Sequence, residues 1–237
     1  MMRNLILSGG VGHPFDDTSR MLAEMLVPLD ITTEIVAPDQ WESAIDAPAG
    51  DLGLITVNAL RWRMLAERYH QHRDTESYTT TASLQNFIEQ HLLHGGAVLS
   101  MHTSCISFDD WPNWAEILGA VWDWDRSFHP LLGTEVHVHD VLHHTRFTLT
   151  DELYHCLQIK DPDRDVLATA STPADAVVAN PPPMGVTAVG GSHAVVWQRK
   201  HGPGRVVVDT LGHDHRSLSD VNHQRVLLAA LKWAVAK

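Results

Sequence analysis

The stretch GGAVLSMHTSC, residues 95–105, opens with a Gly-Gly break and an apolar run, Ala97 to Leu99, and then meets small and polar residues around His102. A short apolar run bounded in this way reads as a buried strand, here 97–101. Ser100-Met101-His102-Thr103-Ser104 puts small residues two before and two after a central side chain. A tight, strained turn that presents a nucleophile at the end of a sheet strand needs that spacing. The residue presented here is a histidine, with Cys105 three positions later.

On the N-terminal side, NLILSGG (4–10) is another apolar run stopped by glycines. Asp16, Asp17 and Thr18 offer helix caps, and Met21, Leu22, Met25, Leu26 and Leu29 follow at helical spacing, which predicts a helix over about 18–28. TTEIVA (32–37) and LGLITV (52–57) read as strands, RWRMLAER (61–68) as one solvated helix face, and 67–80 as a surface excursion. A helix over 81–94 ends at Gly95-Gly96. Beyond the quoted stretch, Pro112 fits the first turn of a short helix within 109–122, with Asp109 or Asp110 as its cap. Strands alternating with helices predict a parallel sheet covered on both faces.

The second half is richer in strands. TEVHVHDV (134–141) alternates at period two, RFTLTDELY (146–154) begins as a strand, and DVLATAS (165–171) is a third. Residues 192–212 read as a hairpin turning at His201–Gly204, and a last helix, about 219–236, has Val221, Arg225, Leu228, Leu231 and Trp233 near one side. NPPPMG (180–185) reads as a loop rather than a linker. The expectation is one α/β domain over residues 1–237, a three-layer sandwich with a central, mainly parallel sheet and a β-rich second half.

The 237 residues include Lys+Arg 17 against Asp+Glu 29, a net charge of −12, which disfavours nucleic acid and anionic membranes as partners. No run of about 18 apolar residues is present, so no membrane-spanning helix is expected. The start has neither the apolar length nor the cleavage site of a signal peptide, and two cysteines demand no disulfide. A cytoplasmic setting with reduced thiols is the expectation. The outlying number is His 17. Imidazole titrates near neutrality and is the commonest metal ligand, so position must separate chemistry from composition.

Several motifs occur in a fixed order: GHPFDDTSRMLAEML, GGAVLSMHTSC with DWPNWAEILG, SFHP, TDELY and GPGRVVVDTLGHD. Together they resemble the ThuA-like proteins, named for trehalose utilisation, within the class I glutamine amidotransferase-like superfamily. The resemblance runs from Ser8 to about Trp233 and implies a flavodoxin-like sandwich. It also places His102 where an amidotransferase has its cysteine nucleophile, which argues against glutaminase chemistry, and it places a Gly-His pair at Gly212-His213. The activity it implies is on a disaccharide or its 3-keto form, alongside a sugar dehydrogenase.

The candidate catalytic residues are therefore His102, His213 and Glu152. His102 is at a strand's carboxyl end, where open α/β sheets bind ligands; its bland alternative is a histidine that hydrogen-bonds the turn. In TDELY, two adjacent carboxylates face opposite ways if extended, so one of Asp151 and Glu152 faces a pocket, and Glu152 is the choice; the alternative is that both cap a turn. His13, Trp111, His129, Tyr154 and Asp214 are the candidate substrate-binding residues, with Trp114, Trp122 and Trp124 completing an aromatic wall suited to pyranose faces. His13 follows the first strand in a glycine-rich loop that is not a dinucleotide fingerprint. A divalent-metal site built from His13, His102, Glu152 and His213 is open if the four converge. His137 and His139 share a strand face but lack a third ligand, so exposed edge alternation is the better reading. His143 and His144 read as a turn, and His215 and His223 as hydrated surface residues. Cys105 reads as a bystander.

Three functions stay in play: an enzyme moving protons on a keto-sugar through His102 and His213, a non-catalytic sugar-binding or assembly protein with a degenerate pocket, and a cysteine hydrolase using Cys105. The substrate expected is a small sugar. A homodimer is an expectation by analogy alone.

Overall fold

The computed structural model describes residues 2–46, 50–179 and 190–236; the Pro-rich stretch 180–185 lies outside them. In chain order the elements are β1 Met2–Gly10, α1 Phe15–Leu26, β2 Ile31–Val36, α2 Trp41–Ile45, β3 Leu52–Leu60, α3 His70–Glu76, α4 Ala82–Leu93, β4 Ala97–Met101, α5 Pro112–Leu118 and β5 Ala120–Val121. They continue with β6 Glu135–Asp140, β7 Thr145–Thr150, β8 Gln158–Ile159, β9 Asp165–Ser171, β10 His193–His201, β11 Gly204–Asp209, α6 His215–Leu218 and α7 Val221–Val235.

The main sheet has nine strands in the order β2-β1-β3-β4-β11-β10-β9-β6-β7. Its first five are mutually parallel and follow the flavodoxin-like 2-1-3-4-5 winding; the remaining four are antiparallel. The parallel strands bury both faces, which is why their sequences are apolar throughout. Ile6, Leu54, Leu99 and Val207 join a core with α1 and α7, while Leu7, Ile55, Val98 and Val206 join the opposite core with α2, α4 and α5. Each fully buried aliphatic side chain of this kind contributes roughly 1.5–3 kcal/mol. In the antiparallel half, Val136, Val138 and Leu149 enter the first core, leaving His137 and Thr148 exposed.

Some expectations are corrected. The helix placed at 18–28 begins at Phe15, and no side chain caps it; Asp16 and Asp17 occupy its first turn, while the Thr18 hydroxyl bonds back to the Pro14 and Phe15 carbonyls. Residues 61–66 are not helical, because Trp62 and Met64 are drawn into the interior and Arg63 pairs with Asp109. Asp109 and Asp110 do not cap α5: Asp109 accepts from the Arg63 N–H, and Asp110 ties down Thr80. The buried face of α7 is His223, Val226, Leu227, Ala230, Leu231 and Ala234, with Val221 exposed.

Candidate active site at the carboxyl edge of the sheet

The first histidine is presented by a strained turn. β4 ends at Met101 in extended conformation, and His102 then adopts φ 45, the left-handed region that costs a non-glycine residue about 1–3 kcal/mol. The surrounding residues hold the turn. The Ser100 and Ser104 hydroxyls bond one another, Thr103 and Ser107 both donate to the Ala59 carbonyl at 2.9 Å, and the Trp114 indole donates to the Ser104 carbonyl at 2.9 Å. His102 Nδ1 lies 2.9 Å from the Thr210 carbonyl oxygen, which can only accept. The ring therefore carries its Nδ1 proton there and turns Nε2 inward.

Three further segments reach the same edge. His13 comes from the loop after β1, with Nδ1 3.2 Å from the Val11 carbonyl. His213 follows β11. Glu152 follows β7, the strand at the far end of the sheet order, and Asp151 fastens that crossing. Its buried carboxylate accepts from Gly212 N at 2.7 Å, His213 N at 3.3 Å and Glu152 N at 2.7 Å. Asp151 thus holds the 212–213 backbone while Glu152 faces the histidines.

One ligand-capable atom from each of His13, His102, Glu152 and His213 lies within 4.8 Å of the other three. Glu152 Oε2 is 3.5 Å from His102 Nε2, and Oε1 is 3.6 Å from both His213 Nε2 and His129 Nδ1. Tyr154 completes the wall: its buried hydroxyl is 3.0 Å from His102 Nε2 and 3.4 Å from Glu152 Oε2. Trp122 packs edge-on against Tyr154 and tilts toward His129.

Burial and charge set unlike protonation states in this small volume. Burial, reinforced by His102 and His213, pushes His13 down to about 3, so it is neutral. Burial and His102 also lower His213. Burial opposes charge on His102, but hydrogen bonding to Glu152 and the Glu152 and Asp151 charges outweigh it and raise the imidazole. Burial likewise opposes charge on Glu152, yet His102, His129 and His213 bring it down to about 2. Burial and Glu152 hold the Tyr154 phenol well above its ordinary value, so it stays a donor.

Not every candidate belongs to this cluster. Trp111 is buried against Trp114 and Phe108 in the core beneath α5, because Pro112 starts the helix with that ring turned inward. Trp122 takes the wall position instead. Asp214 caps α6 and pairs with Arg216, 3.8 Å from His213 Nδ1. Cys105 is buried, and desolvation pushes its thiol up to about 12. His137 is exposed on β6 and pairs with Glu135. His143 bonds Asp140 and His215 is exposed. His223 is not a surface residue. It is buried, with Nε2 2.8 Å from Asp209, and this pair anchors the end of β11. The support from Asp151, Asp209 and the Thr210 carbonyl escaped the sequence reading. A carboxylate directly before Glu152 was the sole trace of it.

The winding and the carboxyl-edge site define a flavodoxin-like α/β protein. Within that class the chain belongs to the ThuA family, whose sequence profile, described as trehalose utilisation, matches residues 60–234. Among solved structures it is similar to a ThuA-like protein from Parabacteroides merdae, with TM-score 0.71 and 16% identity over 99% of this chain and 90% of that one. A ThuA-like protein from Bacteroides uniformis gives TM-score 0.64 and 15% identity, over 100% and 92%. The β-galactosidase from Rahnella sp. R3 gives TM-score 0.58 and 11% identity, over 98% of this chain and 30% of that enzyme. At these identities the likeness is one of fold. No curated protein matches the chain. Among the described residues no helix is long and apolar enough to cross a membrane.

Proposed function

We propose that the cluster is the active centre of an enzyme of carbohydrate catabolism, acting by proton transfer on a disaccharide or its 3-keto form. The observation that carries this reading is the convergence of His13, His102, His213 and Glu152 from four separate segments within 4.8 Å. The family's description supplies the sugar.

A ketone acidifies the carbon beside it. Removing that proton leaves an enediolate, which is reprotonated at the neighbouring carbon or expels a glycosidic oxygen one carbon further on. Either outcome needs a base, an acid and stabilisation of the developing oxyanion. His213, lowered by burial and His102, is the base. His102, raised by Glu152 and Asp151 over its burial, holds the proton to be returned. The Tyr154 phenol, 3.0 Å from His102 Nε2, donates toward the oxyanion.

The donor set also suits a first-row divalent cation such as zinc, which takes imidazole and carboxylate ligands. His13 Nε2 is buried with no hydrogen-bond partner among the described residues, as an uncoordinated ligand nitrogen would be. His13, His102, His213 and Glu152 would hold the ion, which would polarise the ketone oxygen as a Lewis acid; with the ion bound, His102 and His213 would serve as its ligands and not as the acid and base. Turnover of a panel of 3-keto-disaccharides tests the proposal. His102→Ala and His213→Ala should each lower it by about 100-fold or more; unchanged turnover in both variants would refute it.

A further inference from the structure

A cavity of about 620 Å³ opens beside the cluster, within the size range of small-molecule sites. It lies where the carboxyl ends of β1 and β3 adjoin. Strand order reverses there in this winding, and open α/β sheets bind ligands at that point. His13 forms part of its wall and is also a member of the cluster, so the two adjoin at that ring. Gly10 forms another part; its φ of 132 and a Leu60 carbonyl oxygen 2.2 Å from where a Cβ would stand leave no room for a side chain.

The charged groups on its walls are set apart from one another. Arg61 follows β3 directly, and its backbone is fixed on both sides: its N–H donates to the Ser107 hydroxyl at 3.0 Å and its carbonyl accepts from Phe108 N at 2.9 Å. Its guanidinium lies 5.1 Å from the Tyr78 ring centre, and its Nε is buried with no partner among the described residues. Asp16, Asp17 and Glu76 line the same cavity, and Asp17 is paired with Arg20. Arg61, Asp16 and Glu76 have no ion-pair partner among the described residues. One guanidinium and two carboxylates thus line the cavity with no ion pair among the described residues.

We infer that this cavity is a subsite for a neutral, polyhydroxylated ring: the glycosyl unit of the substrate that does not react. Hydroxyl groups both donate and accept, so they satisfy the Arg61 fork and the Asp16 and Glu76 carboxylates together. Three carboxylates against two guanidinium groups repel a phosphate or a sugar acid. The inference rests on the reading that the neighbouring cluster acts on a sugar. It adds that the enzyme selects a disaccharide over a monosaccharide, and that Arg61 does the selecting.

Calorimetry with trehalose, glucose and glucose 6-phosphate tests it on the full chain. The wild type should bind trehalose at least about tenfold more tightly than glucose, as one or two hydrogen bonds to charged groups would give. Glucose 6-phosphate should gain nothing over glucose. Arg61→Met should bring trehalose binding close to that of glucose, and Glu76→Gln, a second variant on the opposite charge, should narrow the gap in the same direction. Equal binding of trehalose and glucose by the wild type, no detectable binding of either, a preference for glucose 6-phosphate, or an unaltered preference in both variants would overturn the subsite. The proposed chemistry is judged by other variants and another readout, turnover by His102→Ala and His213→Ala. Each idea can thus fail while the other stands.

Discussion

His102 combines a left-handed backbone, a tautomer fixed by the Thr210 carbonyl, and a carboxylate 3.5 Å from its free nitrogen. Tyr154 touches both partners of that pair. Tyr154→Phe removes the donor without opening the core, so kcat should fall about 10- to 100-fold, the worth of a hydrogen bond to a charged group, while KM moves little. Steady-state kinetics on the keto-sugar would show the split. Cys105 is the opposite case. With its thiol buried and pushed up to about 12, Cys105 should stay unmodified by iodoacetamide in the folded, active protein and be labelled only in denaturant; peptide mass spectrometry separates it from the half-buried Cys156. The small-x-His-x-small spacing made the elbow legible, since it is a local steric demand. Trp111 was not, because composition cannot say which ring of a tryptophan-rich stretch turns inward.

The segment 209–213 gives the site its rigidity. Asp209 takes the Leu211 N–H on one oxygen and His223 on the other, while Asp151 takes Gly212 and His213 from the opposite side. Both imidazoles proposed to be catalytic depend on this run, His213 by sequence and His102 through the Thr210 carbonyl. Burial alone would lower His223, but the Asp209 charge and hydrogen bond outweigh it and raise the imidazole to about 9. A folded-state value above the unfolded one, about 6.5, stabilises the fold fully below pH 6.5, and that contribution is lost as pH rises through about 9. Urea midpoints should show wild-type stability falling across that window. His223→Leu, which strands a buried carboxylate, should cost about 3–5 kcal/mol and flatten the fall. A midpoint difference independent of pH would count against the charged pair. The strands and helices of the parallel half were readable because each buries a periodic face. His223 was misread as a surface residue because its partner lies on β11, and no helical period reports a tertiary ion pair. The irregular path of 61–66 has the same origin: burial of Trp62 and Met64 overrides a pattern that looks helical.

Across the whole molecule, one sheet edge gathers the chemistry. β1, β4 and β11 are parallel, so their carboxyl ends deliver His13, His102 and His213 to the same side; the alternation of strands and helices implied this for His13 and His102, and the family resemblance for His213. Glu152 enters differently. It comes from the antiparallel extension, and a crossing held by Asp151 brings it back, so its place in the cluster depends on topology that TDELY alone does not encode. The same geometry places the Arg61 cavity at the β1/β3 junction, next to His13. We propose that three imidazoles and one carboxylate, drawn from four segments, would hold a single divalent ion. Metal content measured after equilibration with zinc and removal of free ion tests that most directly. The account predicts about one ion per chain in the wild type and loss of it in both His13→Ala and Glu152→Gln. No retained zinc in the folded wild type, or full retention in both variants, would contradict it.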